Sequence, residues 1–469
     1  MRRALVGSLV AVVSGLGACG SSPGNGGTGG SVGASGTGGL GAGTGLGGTG
    51  ALGGSASGGT TGTGGAGVVT PPGTFSLVDP IQGSSAQPLT PDLQWSPADG
   101  ADAYSVEIAT SATFGSTDVV AQAVDGSAID FTVPASTLEP GVLYYWRVTA
   151  QNAGGSTAAT GGPQWFTCPY SIQNAHGIGV TPDGTRLVVA SDGNNGPIDI
   201  ITLASHEILS LGTGTASQPM GVAISPDGTE ALATLLTNGS GGINGVVVID
   251  LTTATVLGTV SDPCVGTTLS DVAYFPDGTT AALPDLSAGC GAMGLNTFSP
   301  TIGSSSFSFV NFNDTNDPLG IAIDPTGTFA LVTMEFDDRL YMVTFPGTVS
   351  HLSLSSGSAG VAITPDGATA VVASATADLI TISDGSVTPV ALMGGDTPNS
   401  DFHDVAITPD GTEAVIVGMA SVQVISLASK SVAATYPASG GTSVAISPDG
   451  ATAFVTDTAH GWVRLIPLP

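Results

Sequence analysis

Short apolar segments with period-two alternation recur from Pro72 to the C-terminus, and Gly, Pro, Asp or Asn separate them. A strand turns successive side chains to opposite faces of a sheet, whereas an amphipathic helix needs apolar residues three or four positions apart. Segments 104–108 and 143–148 show the strand pattern at ordinary strand length. The pattern therefore predicts an all-β protein from Pro72 onwards.

One unit repeats through the C-terminal part of this region. Each copy has an apolar strand, a Pro-Asp-Gly turn or its variant, and a second apolar strand, and successive turn prolines are 39 to 50 residues apart. That length accommodates four short strands, which is one propeller blade. The seven turn prolines are Pro182, Pro226, Pro276, Pro325, Pro365, Pro409 and Pro448. The repeats predict a seven-bladed β-propeller over residues 168–469.

The repeated turn itself has a structural explanation. Pro fixes φ at the first corner of a β-turn, and Gly takes the position that requires positive φ. We therefore interpret Pro-Asp-Gly as a hairpin former and not as a functional site.

The last repeat ends after its third strand, at residues 461–466. Residues 168–173, just before the first repeat, are the available candidate for its fourth strand. Such pairing would close the ring and remove an exposed sheet edge.

Residues 72–167 show the alternation of a β-sandwich over about 95 residues. Trp95 on the predicted second strand, Tyr104 on the third and the segment 138–148 resemble a fibronectin type III domain. The resemblance implies that Leu138 and Tyr144 form a tyrosine corner, in which the Tyr hydroxyl bonds back to upstream backbone. A spacer or binding module is all that it implies about function.

The repeats of residues 169–469 resemble YVTN-type propellers, which include lactonase-like and surface-layer proteins. The resemblance implies a fold more strongly than a function. No catalytic residue of that family has a matching position in this sequence.

The N-terminus has the pattern of a signal peptide. Arg2 and Arg3 precede an apolar run over residues 4–16, which spans about 20 Å as a helix and is too short for a bilayer core of about 30 Å. The following Leu-Gly-Ala-Cys resembles the bacterial lipobox, which implies acylation of Cys19 and a signal segment of residues 1–19. Gly20 implies the outer membrane. An ordinary signal peptide with an incidental cysteine is the alternative.

Residues 20–71 are predicted to form a disordered Gly/Ser/Thr-rich linker. No charged or aromatic residue occurs between residues 20 and 69. Such a segment buries too little apolar surface to offset the entropy lost on ordering. As a coil it would reach roughly 40 Å and hold the folded part away from the membrane.

The charge balance limits the classes of binding partner that this protein can have. Seven Lys and Arg face 36 Asp and Glu, for a net charge of −29. Nucleic acid is excluded as a partner because phosphate binding needs clustered basic residues. An acidic surface is also repelled by anionic membranes, so membrane attachment must depend on the lipid at Cys19. We expect a monomer.

Catalytic motifs are scarce: the single lysine, Lys430, excludes a phosphate-binding loop, and no Cys-x-x-Cys or His-Glu-x-x-His occurs.

Three histidines are predicted to share one propeller face. His176 and His403 stand six residues before a turn proline, and His460 lies in a loop between second and third strands. Asp271 and Asp404 occupy the next position. In the other repeats the histidine position holds Met220, Ser270, Leu319, Ala359 and Thr442.

These side chains suit two kinds of chemistry. His176, His403 and Asp404 are the candidates for acid–base catalysis, and His176, Asp271, His403 and His460 are the candidates for binding a divalent cation. A structural or incidental role for all of them is the alternative. No other cofactor is required by the sequence.

Two acidic loops, 192–196 and 313–317, resemble calcium loops without the full spacing, and solvated turns are the alternative.

Cys264 and Cys290 flank the first two strands of the third repeat at one face. In an oxidising exterior they are predicted to form a disulfide, which leaves Cys168 free by counting.

The sequence therefore predicts an exported lipoprotein of the outer membrane or cell surface. Its propeller would be a recognition or scaffold module for a protein, glycan or small ligand, and we expect no enzymatic activity under this interpretation. The alternative is a lactonase-like hydrolase with a His/Asp or cation site in the funnel. Converging polar groups in a deep funnel would favour the hydrolase, and a mouth of Leu, Ala and Thr would favour recognition.

Overall fold

Every regular element in the described part of the chain is a β-strand, which confirms the predicted all-β class. The computed structural model describes residues 69–469, except 116–119, 194, 215, 238–243, 262–269, 288–291, 304–306, 315, 336, 356, 393–403 and 439. Among these residues no helix is long and apolar enough to cross a bilayer. The predicted signal peptide, Cys19 and the linker up to residue 68 lie outside them.

Two antiparallel sheets, called the sheet pair, come first along the chain. Their strands are β1 (Leu77–Asp79), β2 (Asp92–Trp95), β3 (Ala103–Ala109), β4 (Val120–Asp125), β5 (Asp130–Thr132), β6 (Leu143–Asn152), β7 (Gly155–Ala158) and β8 (Gln164–Thr167). One sheet has the order β1-β2-β5; the other has the order β4-β3-β6-β7, with β8 also paired to β6.

The sheet pair encloses one apolar core. Trp95 of β2 and Tyr104 of β3 are buried in it with ring centroids 5.4 Å apart. Along β3 and β6 buried and less buried side chains alternate, as the pleat of a strand requires. The Tyr144 hydroxyl accepts a hydrogen bond from the Glu139 N–H at 2.8 Å, which is the backbone contact expected of this tyrosine.

Seven four-stranded antiparallel sheets follow, called sheets 1 to 7. The strand β9 (Tyr170–Ser171) precedes sheet 1, which comprises β10 (Ala175–Val180), β11 (Arg186–Ser191), β12 (Pro197–Thr202) and β13 (Glu207–Gly212). Sheet 2 comprises β14 (Ser217–Ile224), β15 (Glu230–Thr237), β16 (Gly245–Asp250) and β17 (Thr255–Val260). Sheet 3 comprises β18 (Ala273–Tyr274), β19 (Ala281–Ser287), β20 (Ala292–Phe298) and β21 (Phe307–Asn311).

The remaining four sheets have the same plan. Sheet 4 comprises β22 (Pro318–Ile323), β23 (Phe329–Met334), β24 (Arg339–Thr344) and β25 (Thr348–Ser353). Sheet 5 comprises β26 (Ser358–Ile363), β27 (Thr369–Ser374), β28 (Thr376–Thr381) and β29 (Ser386–Ala391). Sheet 6 comprises β30 (Asp404–Ile407), β31 (Glu413–Val417), β32 (Ser421–Ser426) and β33 (Ser431–Pro437). Sheet 7 comprises β34 (Gly441–Ile446), β35 (Thr452–Asp457), β36 (Trp462–Pro467) and the early strand β9.

The seven sheets form a closed ring. The first strand of each sheet contacts the first strand of the next, and β34 of sheet 7 contacts β10 of sheet 1. Second strands such as β11 and β27 are buried over nearly their whole length, because each sheet is covered on both faces by its neighbours. This explains why those strands are continuous apolar runs.

Strand β9 closes the ring as predicted. Ser171 is paired with Trp462, and Tyr170 with Val463, so residues before the first repeat supply the fourth strand of the last sheet. Only a two-residue link, Cys168 and Pro169, separates β9 from β8 of the sheet pair.

The Pro-Asp-Gly turns have the predicted hairpin geometry. Their seven glycines have φ between 68° and 74°. In sheet 1 the Gly184 N–H donates to the Thr181 carbonyl at 2.8 Å, and the Asp183 carboxylate accepts from the Thr185 N–H at 3.0 Å. A Cβ at Gly184 would lie 3.4 Å from Cδ of Pro448, so the first and last turns also meet.

The described residues belong to one compact unit, and the sheet pair contacts sheets 6 and 7 directly. The Thr167 hydroxyl donates to the Leu465 carbonyl at 3.0 Å, and the rings of Trp165 and Tyr436 lie 6.3 Å apart.

Cys168 in this link is a free, buried thiol whose Sγ donates to the Pro88 carbonyl at 3.5 Å. Burial raises its pKa to about 12. Cys264 and Cys290 lie outside the described residues, so their disulfide stays a prediction.

Candidate functional site

A cavity of about 230 Å³, called the axial cavity, is lined by residues from all seven sheets. It surrounds the ring axis at the end where the first strands begin, opposite to the Pro-Asp-Gly turns. Its wall includes His176, Ser270, Leu319, Ala359 and Thr442 from the predicted histidine position. Five of the seven positions that the repeat alignment groups therefore lie around one cavity.

The residue five positions before each turn proline faces this cavity in every repeat. These residues are Gly177, Gly221, Asp271, Gly320, Gly360, Asp404 and Ser443. Glycine is required where the first strands approach most closely, since a Cβ at Gly177 would lie 2.0 Å from the Met220 carbonyl oxygen. Two of the seven sheets carry a carboxylate at this position instead.

Asp271 joins sheet 3 to sheet 4. Its Oδ1 accepts a hydrogen bond from the Val272 N–H at 2.8 Å, and its Oδ2 accepts one from the Ile321 N–H at 3.1 Å. The contact to Ile321 crosses between two sheets.

Asp404 makes the equivalent contacts from sheet 6 to sheet 7. It accepts from the N–H of Val405 at 2.8 Å, from the N–H of Val444 at 3.1 Å and from the Ser443 hydroxyl at 2.7 Å. Both carboxylates are therefore held in fixed positions by backbone donors.

Burial and mutual repulsion perturb this pair of acids. Burial raises the pKa of Asp271 to about 7, and the negative charge of Asp404 adds to the increase, while the hydrogen bonds from Ile321 and Val272 oppose it. Burial also raises the pKa of Asp404. Near neutral pH the axial cavity therefore contains a carboxyl group that exchanges readily between its two protonation states.

His176 lies at the rim of the same cavity, near the start of β10. Burial lowers its pKa, and the charge of Asp192 acts in the opposite direction. Its backbone carbonyl accepts a hydrogen bond from the Thr456 hydroxyl at 2.5 Å, which ties sheet 1 to sheet 7.

His460 does not line the axial cavity, contrary to the grouping expected from the sequence. Its Nδ1 lies 2.9 Å from both carboxylate oxygens of Asp457, and its ring stacks on Trp462 at 4.8 Å. Asp457 is also paired with the buried Arg464. The carboxylate of Asp457 thus holds the histidine beside β36, a contact that alignment of the loops does not reveal. His403 lies outside the described residues.

No group of three or more His, Cys, Asp or Glu side chains within the described ranges is close enough to hold a metal ion. In the loop 313–317, Asp314 lies 2.8 Å from Nη1 of Arg339, and Asn316 donates to Asp337 at 2.6 Å. In the loop 192–196, the Asp192 N–H donates to the Asn174 carbonyl at 2.7 Å. The ion pair and the hydrogen bonds named here all join the two loops to other groups of the protein.

Comparison with known proteins informs the fold. No protein-family model matches the sequence, and no curated protein matches it. A chain of Kuenenia stuttgartiensis hydrazine synthase is similar in structure, with a TM-score of 0.54 and 17% identity over 64% of this chain and 97% of that chain. The fold is propeller-like. At this identity the likeness extends to the fold alone.

Proposed function

We propose that this protein is an exported surface lipoprotein whose seven-bladed, YVTN-type propeller recognises a small, positively charged ligand in the axial cavity. The lipobox at Cys19 supports envelope anchoring, and the Gly-rich linker supports display away from the membrane. The sheet pair, with its Trp95, Tyr104 and Tyr144 contacts, supports a fibronectin type III-like spacer.

One observation carries the proposal: two partly buried, backbone-anchored carboxylates share one cavity, and the other described lining residues include no Lys or Arg to balance their charge. Buried carboxylates without a counter-charge are costly, and two of them repel one another. A cationic group between Asp271 and Asp404 would relieve both effects. The net charge of −29 further favours the approach of cations.

Recognition fits the described contacts better than hydrolysis does. Ser270 donates to the Leu319 carbonyl at 2.7 Å, and Ser443 donates to Asp404. Among the described residues of the axial cavity, neither serine is hydrogen-bonded to an imidazole. An activated serine nucleophile is therefore not assembled by these contacts.

Titration calorimetry on the full mature lipoprotein in detergent tests the proposal, with CaCl₂, MnCl₂, ethylamine and putrescine as probes. We expect saturable binding of at least one probe, weakened roughly tenfold or more in Asp271→Asn and Asp404→Asn, because an ion pair in a desolvated site is lost. Asp366→Asn, in an exposed turn at the other end of the ring, is the matched control. Absence of binding for all four probes would contradict the proposal.

A lactonase-like hydrolase is the second candidate, and the pKa of about 7 for Asp271 favours it. A carboxyl group with such a pKa suits general acid–base catalysis near neutral pH. Lactone and ester hydrolysis should be assayed in the parent and in Asp271→Asn. Turnover that falls at least a hundredfold in the variant would support hydrolysis, and its absence in the parent would leave recognition.

A further inference from the structure

A second cavity of about 390 Å³, called the lateral cavity, lies between the end of the closing strand β9 and sheet 1. One wall is the connection 171–174, and the other is formed by the loop after β11 together with parts of β12 and β13. It shares no lining residue with the axial cavity.

Asp199 of β12 lines this cavity and is only 4% exposed. It accepts hydrogen bonds from the hydroxyls of Ser191, at 3.0 Å, and Ser210, its cross-strand partner in β13. No ion pair to Asp199 occurs among the described residues. Since a carboxylate can accept about four hydrogen bonds, acceptor capacity remains for a bound molecule.

Exposed amide side chains line the outer part of the lateral cavity. They belong to Gln173, Asn174 and Asn195. Asn174 and Asn195 have left-handed backbone conformations, with φ of 54° and 62°. The hydrogen bond from the Asp192 N–H to the Asn174 carbonyl joins the two walls of the cavity. It therefore fixes the positions of the backbone segments that carry these amides relative to one another.

These groups match the chemistry of hydroxyl-rich ligands. Carboxylate, hydroxyl and primary amide groups together accept and donate hydrogen bonds without presenting a positive charge. The exposed Ile208 adds an aliphatic surface for C–H groups. The cavity volume falls in the usual range for small-molecule sites, about 300–1,000 Å³.

Other ligand classes fit less well. A calcium ion takes six to eight oxygen ligands, usually with several carboxylates, and Asp199 is the one carboxylate among the described lining residues. An anionic ligand would be repelled by the strongly negative chain. We propose that the lateral cavity binds a neutral saccharide of one or two residues, with vicinal hydroxyls donating to Asp199.

Saturation-transfer difference NMR on the full mature protein tests this, with glucose, galactose, mannose, N-acetylglucosamine and maltose as probes. We expect saturable binding of at least one sugar. Asp199→Asn should weaken it roughly tenfold to a hundredfold, because hydrogen bonds to a charged acceptor are lost. Asn195→Ala, at the exposed outer part of the cavity, should weaken it and lower stability by no more than about 1–2 kcal/mol, because alanine adopts the left-handed backbone of this position less readily. Asp366→Asn serves as the control, since it lies in an exposed turn outside both cavities and should leave sugar binding unchanged.

Two results would overturn the proposal. One is the absence of binding for all five sugars, whether or not calcium binds at Asp199. The other is binding that survives both Asp199→Asn and Asn195→Ala at parental strength. If Asp199→Asn fails to fold, Asn195→Ala and Ser210→Ala decide the outcome.

Discussion

Gly141 packs directly against the ring of Tyr170: a Cβ at Gly141 would lie 2.1 Å from the tyrosine hydroxyl. Gly141 belongs to the turn before β6 of the sheet pair, and Tyr170 belongs to the strand that closes the ring. The Gly141 N–H also donates to the Cys168 carbonyl at 2.7 Å. The closing strand is therefore held by the sheet pair as well as by its partner β36.

Gly141→Ala is expected to destabilise the protein more than Gly161→Ala. Both glycines have nearly the same positive φ, 73° and 75°, so both substitutions lose roughly 1–2 kcal/mol from backbone strain. Nothing lies within 4 Å of a Cβ at Gly161, whereas Gly141 meets the buried Tyr170. Overpacking should add about 1–3 kcal/mol, measured by urea unfolding. Equal losses in the two variants would contradict the packing described.

The acid pair of the axial cavity predicts a pH dependence of stability. The pKa of Asp271 is raised from 3.8 to about 7, so the native state binds a proton that the unfolded chain has released. Its stabilising contribution is complete below pH 3.8 and is lost as the pH rises to about 7, with a slope of at most about 1.4 kcal/mol per pH unit.

Asp404→Asn should flatten this slope for two reasons. It removes the raised pKa of Asp404 itself, and it removes the negative charge that adds to the effect of burial on the pKa of Asp271. Unfolding free energies at several pH values between 4 and 8 provide the measurement. Asp366→Asn should keep the parental slope in this range. Its carboxylate has a lowered pKa, chiefly through the Thr364 hydroxyl, so its contribution is lost only at more acid pH. An unchanged slope in Asp404→Asn would show that the two acids do not interact.

The parts of the fold that local chemistry determines were predictable. Pro182 and Gly184 specify their turn through backbone conformation alone, and the missing fourth strand followed from counting strands in the last repeat. The positions of buried charges depend on contacts between sheets, such as Asp271 to Ile321, which no local pattern contains. The lateral cavity does have a local signal, because the charged Asp199 lies between Ile198 and Ile200 within a mostly apolar strand.

Thr456→Val should destabilise the ring although it preserves side-chain shape. The Thr456 hydroxyl accepts from the Ser443 N–H at 3.0 Å and donates to the His176 carbonyl at 2.5 Å. Valine would leave both groups without this partner at a junction between sheets, at a cost of about 1–3 kcal/mol in thermal or urea unfolding. A loss below about 0.5 kcal/mol would mean that neighbouring groups replace the hydroxyl.

Cys19→Ser is expected to leave the protein without its lipid, because acylation requires the thiol of the lipobox cysteine. Partitioning into the detergent phase should fall to the level of a soluble protein, while the thermal unfolding of the folded part should not change. Labelling with a radioactive fatty acid gives an independent readout. A serine variant that still partitions with detergent and still takes up label would refute the lipoprotein prediction.

The cysteines predict a distinctive count of free thiols. Of the four cysteines, Cys19 would be acylated, and Cys264 and Cys290 would be joined in a disulfide that closes a loop of about 26 residues and stabilises by roughly 3 kcal/mol. Cys168 is buried with its pKa raised to about 12, so it should not react in the native protein.

We expect no reactive thiol in the native lipoprotein, one after denaturation, and three after denaturation with reduction. Cys264→Ser together with Cys290→Ser should keep the single thiol and lower the unfolding temperature. Three thiols in denatured protein that has not been reduced would rule the disulfide out.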